Sequence, residues 1–200
     1  MLSNGQHLER KNNAGQLFGL ENINDHYLSE EAADGMCAYL KEKWEKPGSR
    51  YHVMKEMFAC LHKLEVLSAD WPKKVRHYEK VLFGGGRKQY EALHQYRMPD
   101  KIAEQLLSYF IYVYFAGAVY DGMPYSKVKL AVISTMLIED MVCAKAAEKG
   151  QLSFEAIADA AHSYAREVEH SDLNLQRLSI MFRHQKCFHI GRLCGALLEW

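Results

Sequence analysis

From Ser29 onward, large apolar residues recur every three or four positions, the period of helices that bury one face. Met36, Tyr39, Leu40 and Trp44 follow that period. Ser29 is placed to cap the helix, and Glu30 and Glu31 suit its positive end. Pro47-Gly48 stops it. A second helix is expected over residues 51–67, carrying Val53, Met54, Met57, Phe58, Leu61, Leu64 and Val66. Asp70-Trp71-Pro72 opens a third, which Gly84-Gly85-Gly86 closes. These glycines follow no strand and lack a Lys-Ser/Thr pair, so they read as an interhelix link and not as a phosphate cradle. Residues 87–96 read as a short helix before Met98-Pro99.

Residues 100–119 are apolar on nearly every side, through Leu106, Leu107, Phe110, Ile111, Val113, Tyr114 and Phe115. Such a helix is expected at the centre of a bundle. Asp121-Gly122 ends it, and Pro124 permits a fresh start near Tyr125 that runs to Lys149, with Gly150 just beyond. Ser153 caps the next helix, whose stripe is Phe154, Ile157, Ala158, Ala161, Tyr164, Ala165 and Val168. Asp172 is placed to cap a last helix with Leu175, Leu178, Ile180, Met181 and Phe182. No convincing β period occurs. The expected fold is all-α, a single bundle-like domain of about seven or eight helices over residues 27–200. Residues 1–26, rich in Asn, Gly and Gln, are expected to be a tail.

Lys and Arg number 25, as do Asp and Glu, so no basic field draws the chain to nucleic acid or an anionic membrane. No signal pattern opens the sequence. The most apolar run, residues 109–119, falls short of the roughly 20 residues a membrane span requires. Five widely spaced cysteines read as reduced thiols. A cytoplasmic, soluble protein without a membrane partner is expected.

Two polar clusters interrupt the apolar pattern: Tyr120-Asp121-Gly122, and the run Glu167, Glu169, His170, Ser171, Asp172 and Asn174. Caps and helix stops account for part of them, chiefly Gly122 and Asp172. Glu167 and His170, three apart, share a helix face if the helix continues that far. A carboxylate beside an imidazole can act as a general base, whereas the plain alternative is a solvated Glu and a histidine at a helix C-terminus. Lys127 and Lys129, two apart, cannot share one narrow face. The aromatic density from Tyr109 to Tyr125 reads as core, with a cofactor pocket as the less favoured alternative. His184, Cys187 and Cys194, with His189 and Gly191 among them, are weak metal candidates: positions 184, 187, 191 and 194 line one face of a helix. One straight helix cannot close a tetrahedron, so core packing is the stronger reading there.

The segment YVYFAGAVYDGMPYSKVKLAVIST (residues 112–135) resembles part of the C-terminal half of the flagellin lysine-N-methylase family. LSFEAIADAAHSYAREVEHSDLNL (residues 152–175) is similar to a family helix that ends in a Ser-Arg-Glu-Val-Glu-His-Ser-Asp-Glu-Asn-Leu-like run, with Ala165 and Leu173 departing from it. The resemblance implies methyl transfer from S-adenosylmethionine to lysines of bacterial flagellin. In that light Glu167, His170 and Asp121 are the expected catalytic residues, the first two deprotonating the lysine. Tyr120, Asp121 and Tyr164 are the expected donor-binding residues. The family's N-terminal cysteine cluster, which would hold an iron–sulfur or other metal centre, has no counterpart in this sequence, whose first cysteine, Cys37, has no cysteine close to it. Such a centre is expected only if that cluster is supplied. The alternative reading is a non-catalytic helical module that docks a partner or dimerises.

Overall fold

Trp71-Pro72 illustrates how the chain lays down its helices. Proline at the start of a helix has no N–H to lose, and the Asp70 carbonyl accepts the amides of Lys73 and Lys74 at 3.1 and 3.0 Å. A computed structural model describes residues 29–44 and 49–199, which fall into two compact units that part between residues 45 and 46. In the first unit, α1 (Glu30–Trp44) is capped as expected, Ser29 Oγ accepting the Ala32 amide at 3.1 Å. Pro47-Gly48 and the expected tail lie outside the described residues.

The second unit comprises α2 (Ser49–Leu61), α3 (Trp71–Phe83), α4 (Gly86–Leu93), α5 (Asp100–Tyr114), α6 (Ala118–Asp121), α7 (Pro124–Lys149), α8 (Phe154–Tyr164), α9 (Asp172–His184) and α10 (Ile190–Leu198). Short 3₁₀ turns occupy His94–Tyr96, Phe115–Gly117 and Lys186–Phe188, and a π-turn occupies Ala165–Glu169. The fold is all-α, with no strand among the described residues. Gly122 and Gly150 end their helices at φ of +65° and +69°, the left-handed conformation that glycine adopts without a steric penalty. The link through Gly84 to Gly86 joins α3 directly to α4.

Three expectations are corrected. The central helix is α7, not α5. Ala131, Ile133, Met136, Leu137, Ile138 and Met141 are all buried on α7, against α3, α5 and α8. Along α5 only Phe110 is buried, and Tyr112 is 87% exposed. Polar residues on α7 disguise its position, since each of them finds a partner. Lys129 donates to the Phe182 carbonyl (2.9 Å), Ser134 meets the Tyr164 hydroxyl (2.8 Å), and Asp140 accepts from Arg50 (3.1 Å) and Tyr90 (2.9 Å).

Second, α2 stops at Leu61 instead of running to residue 67, which leaves Val66 and Leu67 exposed. Side chains from the far end of the chain take the amides that a longer helix would have used. Glu65 N donates to Asn174 Oδ1 (2.6 Å), and Leu67 N and Ser68 N donate to Glu167 Oε2 (3.0 and 3.2 Å).

Third, the helical path runs past Tyr114 to Asp121 as expected, but its apolar length exceeds what the sequence suggested. Asp100–Asp121 spans 22 residues and is long and apolar enough, by length and composition, to cross a membrane, and little of it is buried. The expectation that the apolar run is too short counted only its most apolar part.

Candidate functional site

The π-turn at Ala165–Glu169 organises the second polar cluster. The His170 amide donates to the Ala165 carbonyl at 3.1 Å, one residue further back than in an α-helix. This widened turn breaks the i, i+3 relation expected between Glu167 and His170. Glu167 is 1% exposed and accepts the Leu67 and Ser68 amides, with Arg166 Nε at 3.8 Å from its other oxygen. His170 is exposed. The two share no hydrogen bond or ion pair among the described residues.

Asn174, fully buried, completes the junction. Its Nδ2 donates to the carbonyls of Glu65 (3.0 Å) and Glu167 (2.7 Å). The N-cap of α9 is Ser171, not Asp172: Ser171 Oγ accepts the Asn174 amide at 3.1 Å and donates to Glu65 Oε2 at 2.9 Å. Ser171 has the extended backbone (φ −123°, ψ 107°) that turns its hydroxyl onto the helix end, whereas Asp172 is already the first helical residue.

Glu169, at the end of the same turn, serves a different neighbour. Its Oε2 accepts hydroxyls from Tyr109 (3.0 Å) and Tyr114 (2.9 Å) of α5. Burial raises both tyrosine pKa values, and the adjacent carboxylate raises them further, so both remain donors. Phe110 lies beneath, stacked on Tyr114 at 6.3 Å and edge-on to Tyr164 at 6.3 Å. Among the described residues Glu169 has no Lys, Arg or His partner.

The residues expected to bind a methyl donor do not converge. Asp121 accepts the Met123 amide at 2.9 Å and pairs with Lys127 at 2.7 Å, and the Lys127 hydrogen bond holds its carboxyl below the usual range. Tyr120 is 93% exposed, whereas Tyr164 is fully buried with its hydroxyl on Ser134.

A family model, the FliB lysine N-methylase C-terminal domain, matches residues 3–196. The chain belongs to this family. Neither the curated proteins nor the solved structures include a match.

In this FliB-family domain the metal candidates separate onto three elements. His184 ends α9, Cys187 lies in the 3₁₀ turn and Cys194 sits on α10, because Gln185 and His189 are extended and break the helix. The single helix face expected from the spacing is therefore not formed. Among the described residues no group of three His, Cys, Asp or Glu side chains could hold a metal ion, so they offer no fit to an iron–sulfur centre. Cys187 is instead buried in the core, and Cys60 of α2 donates its thiol to Gln185 Oε1 at 2.8 Å. His184 borders a basic cavity of about 390 Å³ with Lys129, Arg183, Lys186, His189 and Arg192.

The sequence reading of the FliB-family domain did not anticipate the Tyr109–Tyr114–Glu169 cluster or the buried network around Arg50. In that network Arg50 Nη2 lies 3.1 Å from both Glu139 and Asp140. Residues five apart on a helix, as Tyr109 and Tyr114 are, carry no simple periodic signal. The position of Glu169 within the polar run was the available clue.

Proposed function

We propose that this chain acts in the transfer of methyl groups from S-adenosylmethionine to lysine side chains of flagellin, in the cytoplasm. The family match over residues 3–196 carries the reading. The transferred methyl leaves a sulfonium and joins a neutral amine, so the lysine must lose a proton before it attacks. Glu167 is poorly placed to take that proton, since its carboxylate already binds two backbone amides and is closed to solvent. Any metal centre or further donor-binding groups would come from outside the described residues.

The test is direct. Purified chain is incubated with flagellin and S-adenosylmethionine carrying a labelled methyl group, and the label is located by peptide mass spectrometry. Label on flagellin lysines supports the reading. No label, together with no calorimetric binding of the donor at millimolar concentration, removes the claim that this chain carries the activity.

One observation favours a second reading, a non-catalytic docking module. The Asp100–Asp121 stretch and the residues after it leave Tyr112, Val119, Tyr120 and Tyr125 exposed. Large apolar side chains left open to solvent suit a surface that meets a partner. Flagellin that co-purifies with the chain without being methylated would favour docking.

A further inference from the structure

We propose that Glu169, with Tyr109 and Tyr114, receives the ammonium group of a lysine presented by a protein segment lying along the exposed apolar face of α5. This inference rests on the lysine-methylation reading and assigns it a residue set. The carboxylate is used asymmetrically. Oε2 accepts two tyrosine hydroxyls at 3.0 and 2.9 Å, while Oε1 accepts no hydrogen bond from the described residues. Among the described residues no Lys, Arg or His pairs with this half-buried carboxylate, which leaves Oε1 open to an incoming cation. The surroundings specify what kind of partner fits. Tyr109, Tyr112 and Val113 sit at i, i+3 and i+4, so they share a helix face, and they are 48%, 87% and 45% exposed. Such a face suits the four methylenes of a lysine and the apolar residues beside it.

The aromatic rings reinforce the charge. An ammonium beside tyrosine faces gains cation–π attraction, and the effect grows as water is excluded. Within this same unit Lys129 already stands 4.5 Å from the Tyr125 ring centroid, on the side of the fold that the basic cavity occupies. Among the described residues no such cation serves the Glu169 cluster. The tyrosine hydroxyls cannot themselves neutralise Glu169, because their raised pKa values keep them protonated donors. A negative site on an apolar face complements a lysine flanked by apolar residues and repels an acidic segment.

The experiment uses the full chain and two small probes, N-acetyl-lysine methyl ester and its norleucine counterpart, which lacks the ammonium group. NMR titration is expected to show the lysine ester binding roughly tenfold more tightly than the norleucine ester. Glu169→Gln is expected to abolish that preference. Tyr109→Phe, a change at a half-exposed ring, is expected to weaken lysine-ester binding about two- to threefold with an unchanged melting temperature. Equal binding of the two esters, or full lysine-ester binding by Glu169→Gln, overturns the proposal. So does a Glu169→Gln variant that loses S-adenosylmethionine but keeps the lysine ester, since the cluster would then serve the donor. Sedimentation with phosphatidylglycerol vesicles without lysine-ester binding also overturns it, by giving the face to lipid. A parallel flagellin methylation assay separates the two readings. Probe binding without methyl transfer leaves the receptor standing and removes the methylase activity. Methyl transfer that Glu169→Gln leaves unchanged does the reverse.

Discussion

Asn174 holds the backbone of Glu65 through both ends of its amide, Oδ1 accepting from the Glu65 N–H at 2.6 Å and Nδ2 donating to the Glu65 carbonyl at 3.0 Å. A residue at the start of α9 thereby fixes a loop 109 positions earlier. Because Asn174 is fully buried, its amide cannot turn to water instead. Asn174→Ala is expected to lower stability by about 3 kcal/mol, since several buried polar groups lose their partners together. Asn174→Asp keeps an acceptor but turns a buried carboxylate onto the carbonyls of Glu65 and Glu167, so it should cost at least as much as Ala. Urea unfolding of the three proteins checks the order, and equal midpoints would refute it.

Glu167 and His170 should behave as unlike residues. Glu167→Gln sets an amide N–H₂ or a weaker acceptor against the Leu67 and Ser68 amides and is expected to cost about 1–3 kcal/mol. His170→Ala, at an exposed position, should stay within about 0.5 kcal/mol of wild type. At a temperature where both variants are folded, neither is expected to shift the pH profile of methyl transfer. A shifted profile in either one would return that residue to proton transfer.

The buried network on α7 predicts a pH response. Burial raises the Glu139 pKa to about 7, against the opposing pull of Arg50. Its protonated form is favoured in the folded state, so its contribution to stability is fully present below the ordinary glutamate value and is lost as pH rises through about 7. His94 works in the opposite direction. Burial, helped by the charge of Arg50, lowers its pKa to about 4, so stability is lost as pH falls from the ordinary histidine value toward about 4. Each group contributes a slope of up to about 1.4 kcal/mol per pH unit within its window. Between about pH 4.5 and 6.5 the two slopes oppose each other. Glu139→Gln should therefore lose stability more steeply than wild type as acid is added over that interval, and His94→Gln less steeply. Denaturant midpoints at four pH values would reveal parallel curves if these assignments fail.

Substituting the exposed apolar face should leave the fold intact. Tyr112→Ser and Val119→Ser remove side chains that are 87% and 86% exposed, so each is expected to change stability by under about 0.5 kcal/mol. Together they should reduce binding of a hydrophobic dye such as ANS. A large drop in melting temperature would mean that these residues are covered in solution.

Most helix starts and stops were legible in the sequence, because capping is local chemistry. Ser29, Ser153, Pro72 and Gly150 all act where their residue types predict. Burial was less legible. α5 looks more apolar than α7, yet α7 is the core, since Lys129, Ser134 and Asp140 bring their own partners inside. The metal candidates failed on backbone conformation, because periodicity does not register the extended residues Gln185 and His189. The candidate site was half visible. The polar run was recognised as unusual, but which of its carboxylates faces α5 depends on a π-turn with no signature in residue spacing.

The π-turn has a mechanical consequence. Two residues apart, Glu167 grips the loop at Leu67 and Ser68 while Glu169 grips the tyrosines of α5. Five residues thus act as a yoke between parts of the chain that are remote in sequence. Deleting one of them would restore the tighter helical pitch and swing the carboxylates out of phase with both grips. A movement of α5 would reach the loop after α2 through this yoke, and a disturbance of that loop would tug on the tyrosines in return.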